Sequence, residues 1–164
     1  MKQVYIETYG CQMNVEDTEL MLGVLTRDGY ARTEDPVAAD LMLVNTCAVR
    51  DNAEQRVIGR MGELQRFKKP GTVLGVVGCM AQRLGPALLE AAPKVDLVVG
   101  PDAYRNLPEL VRHALGGDRV HDTGFRSWEH YEDVPPVRED SPTAFVTVQR
   151  GCDYRCTFCI VPAT

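Results

Sequence analysis

The sequence predicts an α/β fold: a doubly wound parallel sheet with flanking helices on both faces. Two observations carry this. Four short hydrophobic runs alternate with longer stretches of helical periodicity, joined by brief connections rich in Gly and Pro. The runs are apolar almost throughout instead of alternating, which is the pattern of strands covered on both faces.

The elements follow in order. Residues 2–8 (Lys-Gln-Val-Tyr-Ile-Glu-Thr) read as a strand rich in β-formers, closed by Gly10-Cys11. Leu20, Met21, Val24 and Leu25 recur at helical spacing over 15–27, with Glu16, Asp17 and Glu19 in the first turn and Gly29 as the stop. Asp40 to Asn45 is a buried strand. A polar helix over 52–68 ends at Pro70-Gly71, and residues 72–78 form the next buried strand. A helix is expected over 82–92, with Pro86 its weak point, then a strand over 95–99 closed by Gly100-Pro101. A last helix over 105–115 stops at Gly116-Gly117.

These elements assign 1–117 to one α/β domain. Residues 118–142 are charged, aromatic and proline-bearing without a period, so a linker is expected there. Residues 143–149 alternate like a strand and run into Arg150-Gly151-Cys152; with the loop that follows, 143–164 reads as the truncated start of a second domain. One strand and one loop bury too little to fold alone, so the chain is expected to be a fragment, inactive by itself.

Composition narrows the function. The 164 residues are 45% hydrophobic and 25% charged, the balance of a soluble globular chain. No apolar run approaches the roughly 18 residues of a membrane span. Met1 to Glu7 lacks a secretory apolar core. A cytoplasmic location with no membrane partner is expected. A net charge of −5 and a pI near 5.2 make this stretch a poor stand-alone clamp on nucleic-acid phosphates, without excluding a nucleic-acid substrate gripped by another part.

The six cysteines are the most informative residues. In a reducing compartment such a set points to metal binding or catalysis before disulfides. Cys11, Cys47 and Cys79 are each about one strand–helix–strand unit apart, and each falls just past the C-terminal end of a predicted strand. That edge of a parallel sheet is where ligands bind. Three thiolates there suit a soft metal centre, with iron–sulfur and zinc the main candidates. A structural zinc site wants four ligands. A four-iron cube on three cysteines keeps one iron open to an outside ligand. The competing interpretation makes these cysteines small buried hydrophobes, with Gly10 and Gly78 as ordinary turn glycines.

Cys152, Cys156 and Cys159 form CxxxCxxC after a predicted strand, with Phe158 just before the last cysteine. A loop of this spacing presents three sulfurs to one face of a cluster. A zinc site completed by His113, His121 or His130 is the alternative, although no CxxH spacing supports it.

The CxxxCxxC segment resembles the radical S-adenosylmethionine (SAM) motif. Together, Tyr9-Gly10-Cys11-Gln12-Met13-Asn14, Asn45-Thr46-Cys47-Ala48-Val49-Arg50, Gly78-Cys79-Met80-Ala81-Gln82-Arg83 and Arg150-Gly151-Cys152 to Pro162 resemble the methylthiotransferase family, in family order and across the whole chain. Gln12-Met13-Asn14 and Ala48-Val49-Arg50 are similar to the branch that modifies isopentenyladenosine in tRNA. Sister branches act on threonylcarbamoyladenosine or on a ribosomal protein.

The resemblance implies an N-terminal methylthiotransferase α/β domain, a linker, and then the first strand and cluster loop of a radical SAM partial barrel. It implies two [4Fe-4S] clusters: a sulfur-carrying one on Cys11, Cys47 and Cys79, and a SAM-binding one on Cys152, Cys156 and Cys159, with Phe158 beside the SAM adenine. The implied reaction adds a methylthio group to C2 of N6-isopentenyladenosine at position 37, next to the tRNA anticodon, using two SAM. The implied partners are tRNA and a reductant such as flavodoxin or ferredoxin, and the protein is expected to be a monomer. The rival without this resemblance is a metal-binding α/β module for electron transfer or zinc.

Other residues carry weaker expectations. Arg50 and Arg83 follow cysteines and are candidates for sulfide or RNA phosphate. Arg56, Arg60, Arg66, Lys68 and Lys69 are expected to be a solvated helix face before a tRNA contact. Trp128 and Tyr131 are expected to dock on the second domain, not to stack on bases.

Overall fold

The computed structural model describes residues 1–48, 51–138 and 142–164, with the side chains of 51–54 left aside. Its centre is a six-stranded, all-parallel sheet in the order β2-β1-β3-β4-β5-β6. The strands are β1 (Lys2–Tyr9), β2 (Tyr30–Arg32), β3 (Leu41–Thr46), β4 (Val73–Gly78), β5 (Leu97–Val99) and β6 (Val120–Asp122). The helices are α1 (Gln12–Arg27), α2 (Asp51–Leu64), α3 (Cys79–Leu84), α4 (Ala87–Ala91) and α5 (Leu107–Leu115). This is the doubly wound α/β fold that the hydrophobic runs predict.

The two faces of the sheet each build a core. Val4, Ile6, Leu41, Leu43, Val77 and Val99 pack under α1 and α5. Met42, Val44, Leu74, Val76 and Val98 pack under α2, α3 and α4. Every residue of β3 and β4 is buried, which explains why those runs carry no polar alternation. The chain leaves β1 to one side for β2 and returns past it to β3, so the switch point of the sheet lies between β1 and β3. Since α1 and α5 share a face while their connections step in opposite directions along the sheet, those two crossovers have opposite hands.

Several boundaries differ from the sequence expectation for physical reasons. β2 and β6 are three-residue edge strands, too short to show a period. The helix expected over 82–92 is two short helices, divided at Gly85-Pro86 where proline cannot continue the ladder. α1 begins three residues early, because Asn14 reaches back to accept the Cys11 backbone N–H at 3.1 Å and so caps the first turn. The polar helix ends at Leu64, followed by a 3-10 turn over Gln65–Phe67.

The stretch expected as a linker begins with β6 and continues as a strap across α1 and the 3-10 turn over Pro101–Asn106. Tyr131 and Val134 are buried in the α1 core. The Tyr131 hydroxyl donates to the Pro101 carbonyl at 2.7 Å and accepts the Tyr104 backbone N–H at 3.0 Å. Arg105 pairs with Glu129 and Asp133 of the strap, at 2.7 and 2.8 Å. Gly23 of α1 allows the close approach, since a Cβ there would overlap the Pro135 carbonyl oxygen. Tyr131 therefore docks on the α/β domain, not on a second domain, while Trp128 stays exposed.

Residues 143–149 carry no strand. Their alternation has no neighbouring strand to satisfy the backbone, and Val146 and Val148 face solvent. Among the described residues, no helix is long and apolar enough to cross a membrane.

Candidate metal centre

The sheet register brings the three dispersed cysteines to one edge. Tyr9 pairs with Thr46, and Thr46 pairs with Gly78, so the ends of β1, β3 and β4 are level. Cys47 and Cys79 follow Thr46 and Gly78 directly, and Cys11 lies two residues past Tyr9. The Cys47 backbone N–H donates to the Tyr9 carbonyl at 3.0 Å, which closes β3 onto β1 at this level. Adjacent strands stand about 5 Å apart.

Local chemistry fixes each loop. Gly10 sits against the Asn14 carboxamide, and a Cβ there would overlap its oxygen. Gly78 has φ +93°, and a Cβ would come within 2.5 Å of the Asn45 Oδ1 and 2.7 Å of the Thr46 carbonyl. Both glycines are required by the site and are more than punctuation.

Beneath the cysteines lies a buried polar network that sequence reasoning missed. Asn14 and Asn45 are fully buried. The Asn14 Nδ2 donates to the Asn45 Oδ1 at 3.2 Å and to the Thr46 carbonyl at 3.3 Å. The Asn45 Nδ2 donates to the Asn14 carbonyl at 2.7 Å and to the Thr18 hydroxyl at 3.0 Å. The Cys11 thiol lies 3.6 Å from the Asn14 Oδ1. A satisfied network of this kind sets one geometry for the floor of the site. The available signal was Asn45, a polar side chain inside an otherwise apolar run.

Burial pushes the Cys79 thiol up to about 12, and Asp17, Cys47 and Cys11 add to the rise as nearby negative charges. The level strand ends and this charge coupling agree in setting the three thiols on one edge. Thiolates can gather here only when a cation offsets their repulsion. Cys11 is exposed, Cys47 and Cys79 are half-buried, and none of the six cysteines is in a disulfide. Among the described residues, no three His, Cys, Asp or Glu side chains close tightly enough to hold a single metal ion. The thiols are neighbours at an edge, not a closed ion cage.

Asp17 departs from its expected place in an acidic first turn. It is buried, its Oδ2 accepts the Tyr104 hydroxyl at 3.2 Å, and its Oδ1 accepts Arg150 Nη2 at 2.8 Å. Burial pushes its carboxyl up to about 6 despite the opposing pull of Arg150.

The clustered cysteines lie together in one loop. Cys152, Cys156 and Cys159 line an open cavity of about 460 Å³ with Asp153, Arg155, Pro162 and Ala163. The Cys159 N–H donates to the Cys156 carbonyl at 3.0 Å, the turn that bends the loop. Phe158 is exposed beside it. His113, His121 and His130 are exposed as well. Arg50 lies outside the described residues. In the basic stretch, Arg60 of α2 pairs with Glu7 and Glu63, and Lys68, past the helix, pairs with Asp96 at 2.6 Å.

Comparison with known proteins agrees with these segments. Residues 3–100 match the family described as "Uncharacterized protein family UPF0004". A tRNA-2-methylthio-N(6)-dimethylallyladenosine synthase of Chloroherpeton thalassium is 47% identical over 99% of this chain and 36% of its own length. Proteins of the same name are 44% identical in Amoebophilus asiaticus, with 34% of their length covered, and 45% identical in a Ruegeria species, with 38% covered. The chain thus spans little more than a third of these relatives. It belongs to the UPF0004 family.

Proposed function

We propose that this chain is the N-terminal part of a tRNA methylthiotransferase that acts on C2 of N6-isopentenyladenosine at position 37. The single observation that carries the proposal is the level register of Tyr9, Thr46 and Gly78, which sets Cys11, Cys47 and Cys79 side by side at the ligand edge of the sheet. A four-iron cube takes its cysteines at separate corners, so it suits neighbouring thiols better than a closed ion cage does.

Cys11, Cys47 and Cys79 would hold one [4Fe-4S] cluster, and Cys152, Cys156 and Cys159 a second that binds SAM. When bound, these groups supply the radical abstraction of an aromatic hydrogen and the delivery of sulfur and methyl. The chain's own residues do the rest. Asn14 and Asn45 fix the floor beneath the cysteine edge. Gly10 and Gly78 let the backbone pass close to that floor. The exposed Phe158 ring is free to lie along the SAM adenine. Residues 1–137, with β6 and the strap, would form the methylthiotransferase domain, and 143–164 the start of the radical domain. The whole protein works in the cytoplasm as a monomer, with tRNA as substrate and flavodoxin or ferredoxin as reductant.

Anaerobic reconstitution of the complete protein tests this. The expected result is about eight irons per chain, with SAM cleavage on reduction and methylthiolated tRNA as product. A single bound zinc without iron–sulfur absorbance would overturn it in favour of a zinc module.

A further inference from the structure

Arg150 is two residues before Cys152, yet its side chain is anchored in the α/β domain. Its Nη2 donates to the Asp17 Oδ1 at 2.8 Å and to the Glu16 Oε2 at 3.2 Å. Its guanidinium carbon lies 5.3 Å from the centroid of the Tyr131 ring. The side chain is only 18% exposed and Asp17 only 4%. Asp17 in turn lies close enough to Cys79 to raise its thiol, and its other oxygen accepts the Tyr104 hydroxyl.

One side chain therefore ties three parts of the molecule. Glu16 and Asp17 belong to α1, the helix that Cys11 caps. Tyr131 belongs to the strap. Arg150 introduces the Cys152–Cys159 loop. The contacts are of the strong kind: charge-assisted, mostly out of water, and backed by an aromatic face. A surface ion pair would carry little weight, but this one leaves a buried carboxylate without its counter-charge when broken.

We propose that Arg150 is a positioning residue: a latch on Asp17, Glu16 and Tyr131 that holds the second cysteine loop at a fixed place relative to the first cysteine edge. The inference rests on the two-cluster function proposed above, because a fixed spacing matters only if something passes between the two sites. In that reaction the adenine carbon activated at one site must receive sulfur from the other. Misplacement by an ångström would leave each site intact while their cooperation fails.

The test uses the complete protein with Arg150→Ala, Arg150→Lys, Asp17→Asn and the Arg150→Ala/Asp17→Asn pair. Two readouts are taken: hydrogen exchange of residues 150–160, and methylthiolated tRNA formed per deoxyadenosine released. For Arg150→Ala and Asp17→Asn we expect faster exchange in that loop, with α1 protection and iron content unchanged. We also expect a product-to-cleavage ratio lower by roughly 100-fold. Lysine keeps the charge without the fork and restores part of the ratio. The pair is no worse than Arg150→Ala alone, because that change already removes the Asp17 contact. Unchanged exchange and an unchanged ratio in Arg150→Ala would overturn the latch. If the parent protein binds no iron, the function proposed above fails, and the exchange measurement still decides the latch alone. Should Arg150→Ala fail to fold, Arg150→Lys and Asp17→Asn decide it by the same two readouts.

Discussion

Asn14 and Asn45 hydrogen-bond to each other at 3.2 Å although 31 positions separate them in the chain. One sits in the first turn of α1 and the other near the end of β3, directly below Cys11 and Cys47. Their pairing joins a helix start to a strand end and makes the floor of the cysteine edge. Asn45→Ala should leave the Asn14 amide short of a partner in a fully buried place. The expected cost is roughly 1–3 kcal/mol of unfolding free energy, read as a lower urea midpoint at unchanged slope. Asn14→Ala should cost a similar amount and also lower iron uptake on reconstitution. A stability equal to the parent would show the network to be idle.

Gly78 and Gly71 give a paired test of the floor. Both have positive φ, +93° and +85°, but a Cβ at Gly71 meets nothing within 4 Å. Gly71→Ala should cost about 1 kcal/mol, the conformational penalty alone. Gly78→Ala should cost clearly more, because the new methyl group also meets Asn45 and Thr46. Thermal unfolding of the two variants side by side measures the difference.

The strap should release in acid. The Arg105 guanidinium beside Glu129 holds its carboxyl below the usual carboxylate range. A depressed carboxylate stabilises the folded state above its unfolded pKa, and that contribution is lost as pH falls through the folded value. Trp128, next to Glu129 and the only tryptophan, reports on this. Its fluorescence should change only below the ordinary carboxylate range in the parent, and Arg105→Ala should move the change to higher pH.

Asp17 should behave oppositely. Its folded pKa is raised to about 6, so the folded state prefers the protonated acid. Stability from this group is full below the ordinary carboxylate range and declines as pH rises through about 6. Arg150 opposes that rise, so Arg150→Ala should push the Asp17 titration higher still. Carboxyl-carbon NMR titration of Asp17 in both proteins checks the direction, and a downward move would contradict the assigned contact.

Much of this protein was legible in one dimension. The apolar runs at β1, β3, β4 and β5 announced a parallel sheet because strands covered on both faces leave no room for polar alternation. The spacing of Cys11, Cys47 and Cys79 announced a shared edge because parallel strands repeat one direction at each crossover. β2 and β6 stayed hidden, since three residues at an edge gain their pairing from the neighbouring strand and not from a pattern of their own.

The tertiary structure alone decided what surrounds the cysteines. Asp17 looked like one more acid in a helix start, and only packing against Tyr104 and Arg150 made it a buried anchor. Tyr131 looked like part of a linker, and only its pocket on α1 made it core. Periodicity reports which face a residue takes within its own element. It holds no information on which distant side chain meets it there, because burial, charge pairing and close backbone approach are fixed only when separate elements come together.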